Sequence, residues 1–300
     1  AEDGIRDVER SRGLGDVYKR QLEGLQRIME ICEKYAKEHN LQFSTNLDPR
    51  KSKTKCVAFL KKPRELKSIK LNGNNLPWIN YPEKVVHLGT TISKSSDRLE
   101  SDILQKRAKY IQRNNEIIQE FYFAFPETKL KLNSIYNMSL YGSPLWDLFS
   151  NPVQSLEKTY NRSVRMMLNL PLQTHKYLIE PLSAQPHLRF LLYKRFINFR
   201  LKIINSSKDI LKHVLHICET NCGSVTGSNL RKLMLLCNKE SIFSLDCNDI
   251  DGLLYEPIPD TELWRLNLIE ELLDTRLNGT YLDGFTSDDI TAMIDYLCIS

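Results

Sequence analysis

One stretch of the chain repeats basic side chains at helical spacing. Lys158, Arg162 and Arg165 follow one another at intervals of four and three residues, which places them on one face of a helix. The opposite face is apolar and carries Leu156, Tyr160, Val164 and Met167. Basic residues on one side of a packed helix can follow a phosphate backbone. They can equally form a solvated outer face, and the pattern alone leaves both interpretations open.

Other groups of residues resemble reactive sites only in part. Asp288 and Asp289 form a carboxylate pair of the kind that holds metal ions in polymerases, but they precede a helical pattern, so we expect a capped helix start with Thr286 or Ser287 as the cap. Four candidate zinc ligands match no common structural spacing, and we expect no metal there: His213, His216, Cys218 and Cys222.

Composition predicts an intracellular protein that binds nucleic acid. The chain has 300 residues, 41% of them hydrophobic, and lacks an apolar run long enough to cross a membrane. Seven scattered cysteines, an odd number, do not form a disulfide framework. Residues 1–239 hold 40 basic and 23 acidic side chains (+17), whereas residues 240–300 hold 2 and 14 (−12). This asymmetry predicts a basic body that faces nucleic acid and an acidic C-terminal module.

Hydrophobic periodicity predicts an α+β fold with a small β-sheet and one helix at the front and a mostly all-α region behind. Residues 22–39 are predicted to be a helix, residues 55–93 to hold essentially all the β-structure, and residues 97–240 to be helical with short loops. Two more helices are predicted in the acidic module, residues 241–300. Residues 1–21 end in DVYKRQ, which the transposase mosaic-end adaptor sequence encodes in frame, so we expect them to be a disordered assembly artefact.

Several spaced motifs resemble non-LTR retrotransposon reverse transcriptases in the region after the polymerase palm. They are YGSPLW (residues 141–146), YNRSVRMMLNLPLQT (160–174), KTKCVAF (53–59), VVHLGTTIS (85–93) and TGSNLRKL (226–233). The resemblance implies a C-terminal fragment of an RNA-directed DNA polymerase. Residues 22–96 would be the palm remnant with motifs D and E, and residues 97–240 the helical thumb and connection. The catalytic aspartate hairpin would lie upstream of Leu22, so the fragment should be inactive.

The resemblance also implies roles for particular residues. Lys53, with Lys51 as the second choice, would support catalysis by balancing charge on the departing pyrophosphate. Leu88 and Gly89 would support the primer strand. The basic residues expected to contact nucleic acid are Lys106, Arg107, Lys109, Arg113, Lys158, Arg162 and Arg165.

The expected partners are an RNA template and a DNA primer, in the cytoplasm and nucleus, with no membrane. The fragment itself would need no cofactor, whereas the full-length enzyme would use Mg²⁺. Two other classes stay open at this point. The chain could be a non-enzymatic helical nucleic-acid-binding protein, or a helical scaffold for proteins whose charges are merely solvated.

Overall fold

The computed structural model describes residues 22–43, 45, 54, 56–57, 67–76, 78–79, 85–87, 89–92, 99–221, 223–253, 260–279 and 285–299. The suspected artefact, residues 1–21, lies outside them. The chain divides into two units, residues 1–86 with 92–97, and residues 87–91 with 98–300. Within the described part, no helix is long and apolar enough to cross a bilayer.

The first unit packs one helix against short strands. Helix α1 covers residues 22–38. Its strands are β1 (Cys56–Val57), β2 (Lys70–Leu71), β3 (Asn74–Asn75) and β4 (Trp78–Ile79). The residues of β5 (Val85–His87) and β6 (Thr90–Ile92) are divided between the two units. The strands form three two-stranded pairs, β1–β4 parallel, β2–β3 antiparallel and β5–β6, where the sequence predicted one small sheet.

The turn at Asn72 and Gly73 joins β2 to β3, and both residues adopt positive φ angles, 52° and 76°. Ile69, Leu71 and Leu76 form the small core of this unit, with Leu25 of α1 against it. The first helix therefore packs on β-structure.

The second unit is helical. Its helices are α2 (Glu100–Glu120), α3 (Pro126–Tyr136), α4 (Asn151–Met167), α5 (Lys176–Ser183), α6 (Leu188–Ile204), α7 (Asp209–Thr220), α8 (Val225–Leu236), α9 (Cys247–Asp251), α10 (Asp260–Asn278) and α11 (Ser287–Ile299). Among the described residues, every strand lies at or before Ile92 and every helix of this unit after it. The coarse expectation of an α+β protein with a helical C-terminal region is confirmed.

Helix α4 is the central element of this unit. Its predicted apolar stripe is confirmed, since Leu156, Tyr160, Val164 and Met167 are all buried in the core. The helix ends at Met167, because Asn169 adopts a left-handed φ of 53° and Leu170 N donates to Arg165 O at 2.8 Å.

The acidic C-terminal helices share this core. Ile269 and Leu272 of α10, and Ile290 and Ile294 of α11, belong to the same buried cluster as the α4 stripe. The acidic C-terminal residues therefore include helices that pack into the core of the second unit.

Candidate nucleic-acid interface

Helices α2 and α4 pack side by side and leave a groove along one edge of their contact. Their buried faces meet through Tyr110 and Tyr160, whose ring centroids lie 6.4 Å apart. Burial raises the pKa of Tyr110 to about 12, so it stays a neutral phenol in this contact. A groove of about 430 Å³ lies beside these rings and is lined by Arg107, Ile111, Asn114, Asn115, Ser155, Lys158, Thr159, Arg162, Ser163 and Met166. We call it the α2–α4 groove.

Three cations from two helices converge on the α2–α4 groove. Arg107 comes from α2, and Lys158 and Arg162 come from successive turns of α4. None of the described residues that line the groove is acidic, and none of the ion pairs within the described residues includes these three cations. The groove therefore has an uncompensated positive charge, which attracts anions.

The arginine from α2 is held in place by α4. Arg107 Nε donates to Thr159 Oγ1 at 2.8 Å, and Thr159 Oγ1 donates to Ser155 O one turn earlier at 2.9 Å. This chain of hydrogen bonds fixes the guanidinium at the groove wall. A pre-positioned guanidinium loses little conformational freedom when it binds a phosphate.

The floor of the groove is neutral and polar, a feature that the sequence did not reveal. Asn114 is only 3% exposed, and its Oδ1 has no hydrogen-bond partner among the described residues. Ser163 Oγ donates to Thr159 O at 3.0 Å. Asn114 follows Arg107 by seven residues, so helical spacing alone would have placed both on one face.

The other basic residues predicted on α2 point away from the groove. Lys109 and Arg113 lie about 200° and 240° around the helix from Arg107. Arg113 donates to Tyr136 O at 2.7 Å and so satisfies a carbonyl at the end of α3. Lys106 Nζ donates to Gly89 O at 2.8 Å, and Lys109 is exposed. The structure brings Arg107 together with the α4 cations and leaves these three elsewhere.

Arg165 is engaged in holding the loop after α4. Its Nε and one terminal nitrogen donate to Thr174 O at 3.1 and 2.7 Å, and burial lowers the pKa of its guanidinium. It shares a face with Lys158 and Arg162, as predicted, but it does not line the groove. Its contacts stabilise the segment of the chain that leads to α5.

Of the remaining predicted site residues, only Gly89 lies within the described part of the chain. Gly89 is exposed and adopts a φ of 78°, which favours glycine. Lys51, Lys53 and Leu88 lie outside the described residues.

Two of the motifs that carry the resemblance meet in the core. Asn229 Nδ2 donates to Trp146 O at 2.8 Å, and Leu148 N donates to Asn229 Oδ1 at 3.2 Å. Trp146 Nε1 donates to the buried Asp102 Oδ2 at 2.8 Å. This network ties α8 and the segment before α4 to the first turn of α2, so these motif residues position the groove helices.

The glycine of YGSPLW is required by its backbone and by its neighbour. Gly142 adopts a φ of 88°, and a Cβ there would lie 2.8 Å from Thr90 Oγ1. Both effects disfavour any other residue. This part of the motif is therefore explained by packing.

The helix that begins at the C-terminal carboxylate pair has Thr286 as its cap, as predicted, and Asp289 completes the cap. Thr286 N and Oγ1 donate to Asp289 Oδ2 at 2.8 and 2.7 Å, and Asp289 N donates back to Thr286 Oγ1 at 3.2 Å. These hydrogen bonds lower the pKa of the Asp289 carboxyl. Within the described residues, no group of three or more His, Cys, Asp or Glu side chains could hold a metal ion, and Cys222 lies outside them.

Comparison of the chain with protein-family models, curated proteins and solved structures finds no match.

Proposed function

We propose that the chain binds nucleic acid through phosphates held in the α2–α4 groove, with little sequence preference. The observation that carries the proposal is the convergence of Arg107, Lys158 and Arg162 on a groove without an acidic residue among its described lining. Cations that neutralise phosphates release condensed counterions, and this release supplies sequence-independent affinity. The excess of positive charge over residues 1–239 adds long-range attraction.

The resemblance to non-LTR retrotransposon reverse transcriptases supports a more specific version of this proposal. In that version the chain is the C-terminal part of an RNA-directed DNA polymerase, and the groove contacts the RNA template and DNA primer from the thumb. Mg²⁺ would be held by the catalytic hairpin upstream. The chain alone should then extend no primer on primed RNA with Mg²⁺ and nucleotides. With the upstream palm restored, Lys53→Ala should lower the activity and Asp288→Ala should not.

The general proposal is tested by a salt titration of binding, measured by fluorescence anisotropy on the full chain. The double variant Lys158→Ala with Arg162→Ala removes two groove cations and leaves the Arg107–Thr159 contact in place. We expect weaker binding and a slope of log K against log salt that is flatter by about 1.4 to 1.8 units. The matched control, Lys202→Ala with Lys208→Ala, removes the same charge from exposed positions outside the groove.

The outcomes separate the open alternatives. An equal change of slope in both double variants would mean that the groove cations contribute no more to binding than other exposed basic residues. No detectable binding by the wild-type chain at low salt would favour the protein scaffold. A non-enzymatic nucleic-acid-binding protein would bind as proposed, yet stay inactive after the upstream sequence is restored.

A further inference from the structure

The turn between α2 and α3 exposes a group of aromatic rings. Phe121, Tyr122, Phe123 and Phe125 are 44%, 68%, 97% and 62% exposed. Aromatic rings normally contribute their large area to a core, so a contiguous exposed group indicates a binding surface.

The backbone of this turn is held in place by hydrogen bonds. Lys129 is buried, and its Nζ donates to Tyr122 O at 3.0 Å. Phe121 N donates to Ile117 O at 3.1 Å, and Ala124 N donates to Phe121 O at 3.0 Å. A buried amine is costly unless it is hydrogen-bonded, so Lys129 strongly favours this conformation. The rings are therefore presented to solvent by an ordered turn.

The turn lies just beyond one end of the α2–α4 groove. Arg107, Ile111 and Asn115 line the groove, and α2 ends five residues after Asn115, at Glu120. Five residues correspond to about 8 Å along a helix axis, so the turn begins close to the last groove residue of α2. Glu116 and Glu120 lie about 180° and 220° around α2 from Arg107, away from the groove face. A strand whose phosphates lie in the groove can therefore follow α2 to the turn without crossing these carboxylates.

We propose that Tyr122 and Phe123 form a stacking surface for unpaired nucleobases, adjoining the α2–α4 groove. Their ring centroids lie 5.1 Å apart with planes at 82°, so the two rings present faces in different directions. Every base has an aromatic face, so stacking of this kind tolerates any sequence and needs unpaired bases. The ligand class is single-stranded nucleic acid, which binds more tightly than a blunt duplex. This inference rests on the proposed function, because the groove supplies the phosphate contacts.

The test compares a fluorescein-labelled deoxythymidine oligonucleotide with a blunt DNA duplex of equal length, using anisotropy on the full chain. In the variant Tyr122→Ala with Phe123→Ala, we expect Kd for the single strand to rise about fivefold or more, because one stacked base is worth that factor. Kd for the duplex should stay within about twofold, and the salt slope should not change, because no cation is removed. The matched control, Phe243→Ala with Tyr296→Ala, removes aromatic rings that are 62% and 71% exposed elsewhere in the same unit and should change neither Kd.

Two single variants distinguish stacking from general apolar contact. Phe123→Trp should keep or tighten single-strand binding, whereas Phe123→Leu should weaken it, because leucine is apolar but has no aromatic face. Equal weakening for strand and duplex, or no weakening for the strand, would overturn the stacking proposal. So would sedimentation showing a wild-type oligomer that the double variant abolishes, since the rings would then be a protein interface. Failure of the groove would instead appear as unchanged binding in the Lys158→Ala, Arg162→Ala variant.

Discussion

The two sides of α4 use the same kinds of charged residue in opposite ways. On the groove side, Lys158 and Arg162 have no acidic partner among the described residues. On the core side, Glu157 is buried and pairs with three basic side chains, Lys176 at 3.1 Å, His187 at 3.2 Å and Arg189 at 2.6 Å. A charge that is paired within the fold cannot lose its partner without cost and is not available to a ligand, whereas a charge left without a partner is available to one.

A second ion pair, between α6 and α7, is buried more deeply. Arg200 of α6 and Glu219 of α7 are 3% and 5% exposed in their side chains, and Arg200 Nε lies 2.7 Å from Glu219 Oε1. Arg200 also donates to Leu245 O at 3.5 Å. Arg200 carries the same guanidinium group as the groove arginines, yet its environment leaves no face open to a ligand.

The largest expected effect comes from breaking that buried pair. Glu219→Ala leaves the Arg200 guanidinium buried without a counter-charge, so we expect the free energy of unfolding to fall by about 3–5 kcal/mol. Chemical denaturation followed by circular dichroism measures this change. The double replacement Arg200→Met with Glu219→Leu removes both charges and should recover most of the loss. A loss near zero in Glu219→Ala would mean that Arg200 is hydrated.

An intermediate effect is expected from the pH dependence of Glu157. Burial alone would raise the pKa of its carboxyl, but the hydrogen bond and charge of His187, the charge of Arg189 and the hydrogen bond from Lys176 lower it to about 2. A carboxyl with a lowered pKa stabilises the fold above its unfolded pKa, and this stability is lost as the pH falls. We expect up to about 3 kcal/mol of the wild-type stability to disappear between about pH 5 and pH 2.

Denaturation at a series of pH values checks this expectation. Glu157→Gln should remove this part of the pH dependence. As the matched control, Glu116→Gln replaces an exposed carboxylate on α2 and should leave the wild-type profile intact. If Glu157→Gln had the same pH profile as the wild type, the carboxyl of Glu157 would not be the cause of the loss of stability at low pH.

The smallest effect on stability is expected from the groove side. Lys158→Ala with Arg162→Ala removes exposed charges that take part in no ion pair within the described residues, so the free energy of unfolding should change by no more than about 0.5 kcal/mol. Binding should weaken in the same variant. A large loss of stability would show that these cations support the fold. The two sides of α4 would then not differ in how they use their charged residues.

Sequence patterns predicted which residues of a helix are buried better than they predicted which residues from different helices lie together. The apolar stripe of α4 follows from spacing, and the structure buries all four of its residues. The grouping of Lys106, Lys109 and Arg113 with Arg107 ignored the helical rotation of about 100° per residue, which spreads them around α2. The engagement of Arg165 with Thr174 O was not predictable, because its partner is a loop carbonyl positioned by tertiary packing.

The groove itself could not be predicted from the sequence. It exists because α2 packs beside α4, and the sequence alone does not specify that contact. Asp102 and Asn229, which help to fix the positions of α2 and α8, carry no pattern that separates them from surface polar residues. Buried polar residues of this kind become visible only when their hydrogen-bond partners are known.

In the proposed mode of binding, nucleic acid covers the groove side of α4 and not the outer side of α2. The most direct test is acetylation of lysines in the full chain with and without a saturating deoxythymidine oligonucleotide, read out by mass spectrometry. We expect Lys158 to be protected, whereas Lys109 on the far side of α2 should react at an unchanged rate. Protection of Lys109 with no protection of Lys158 would contradict this mode of binding.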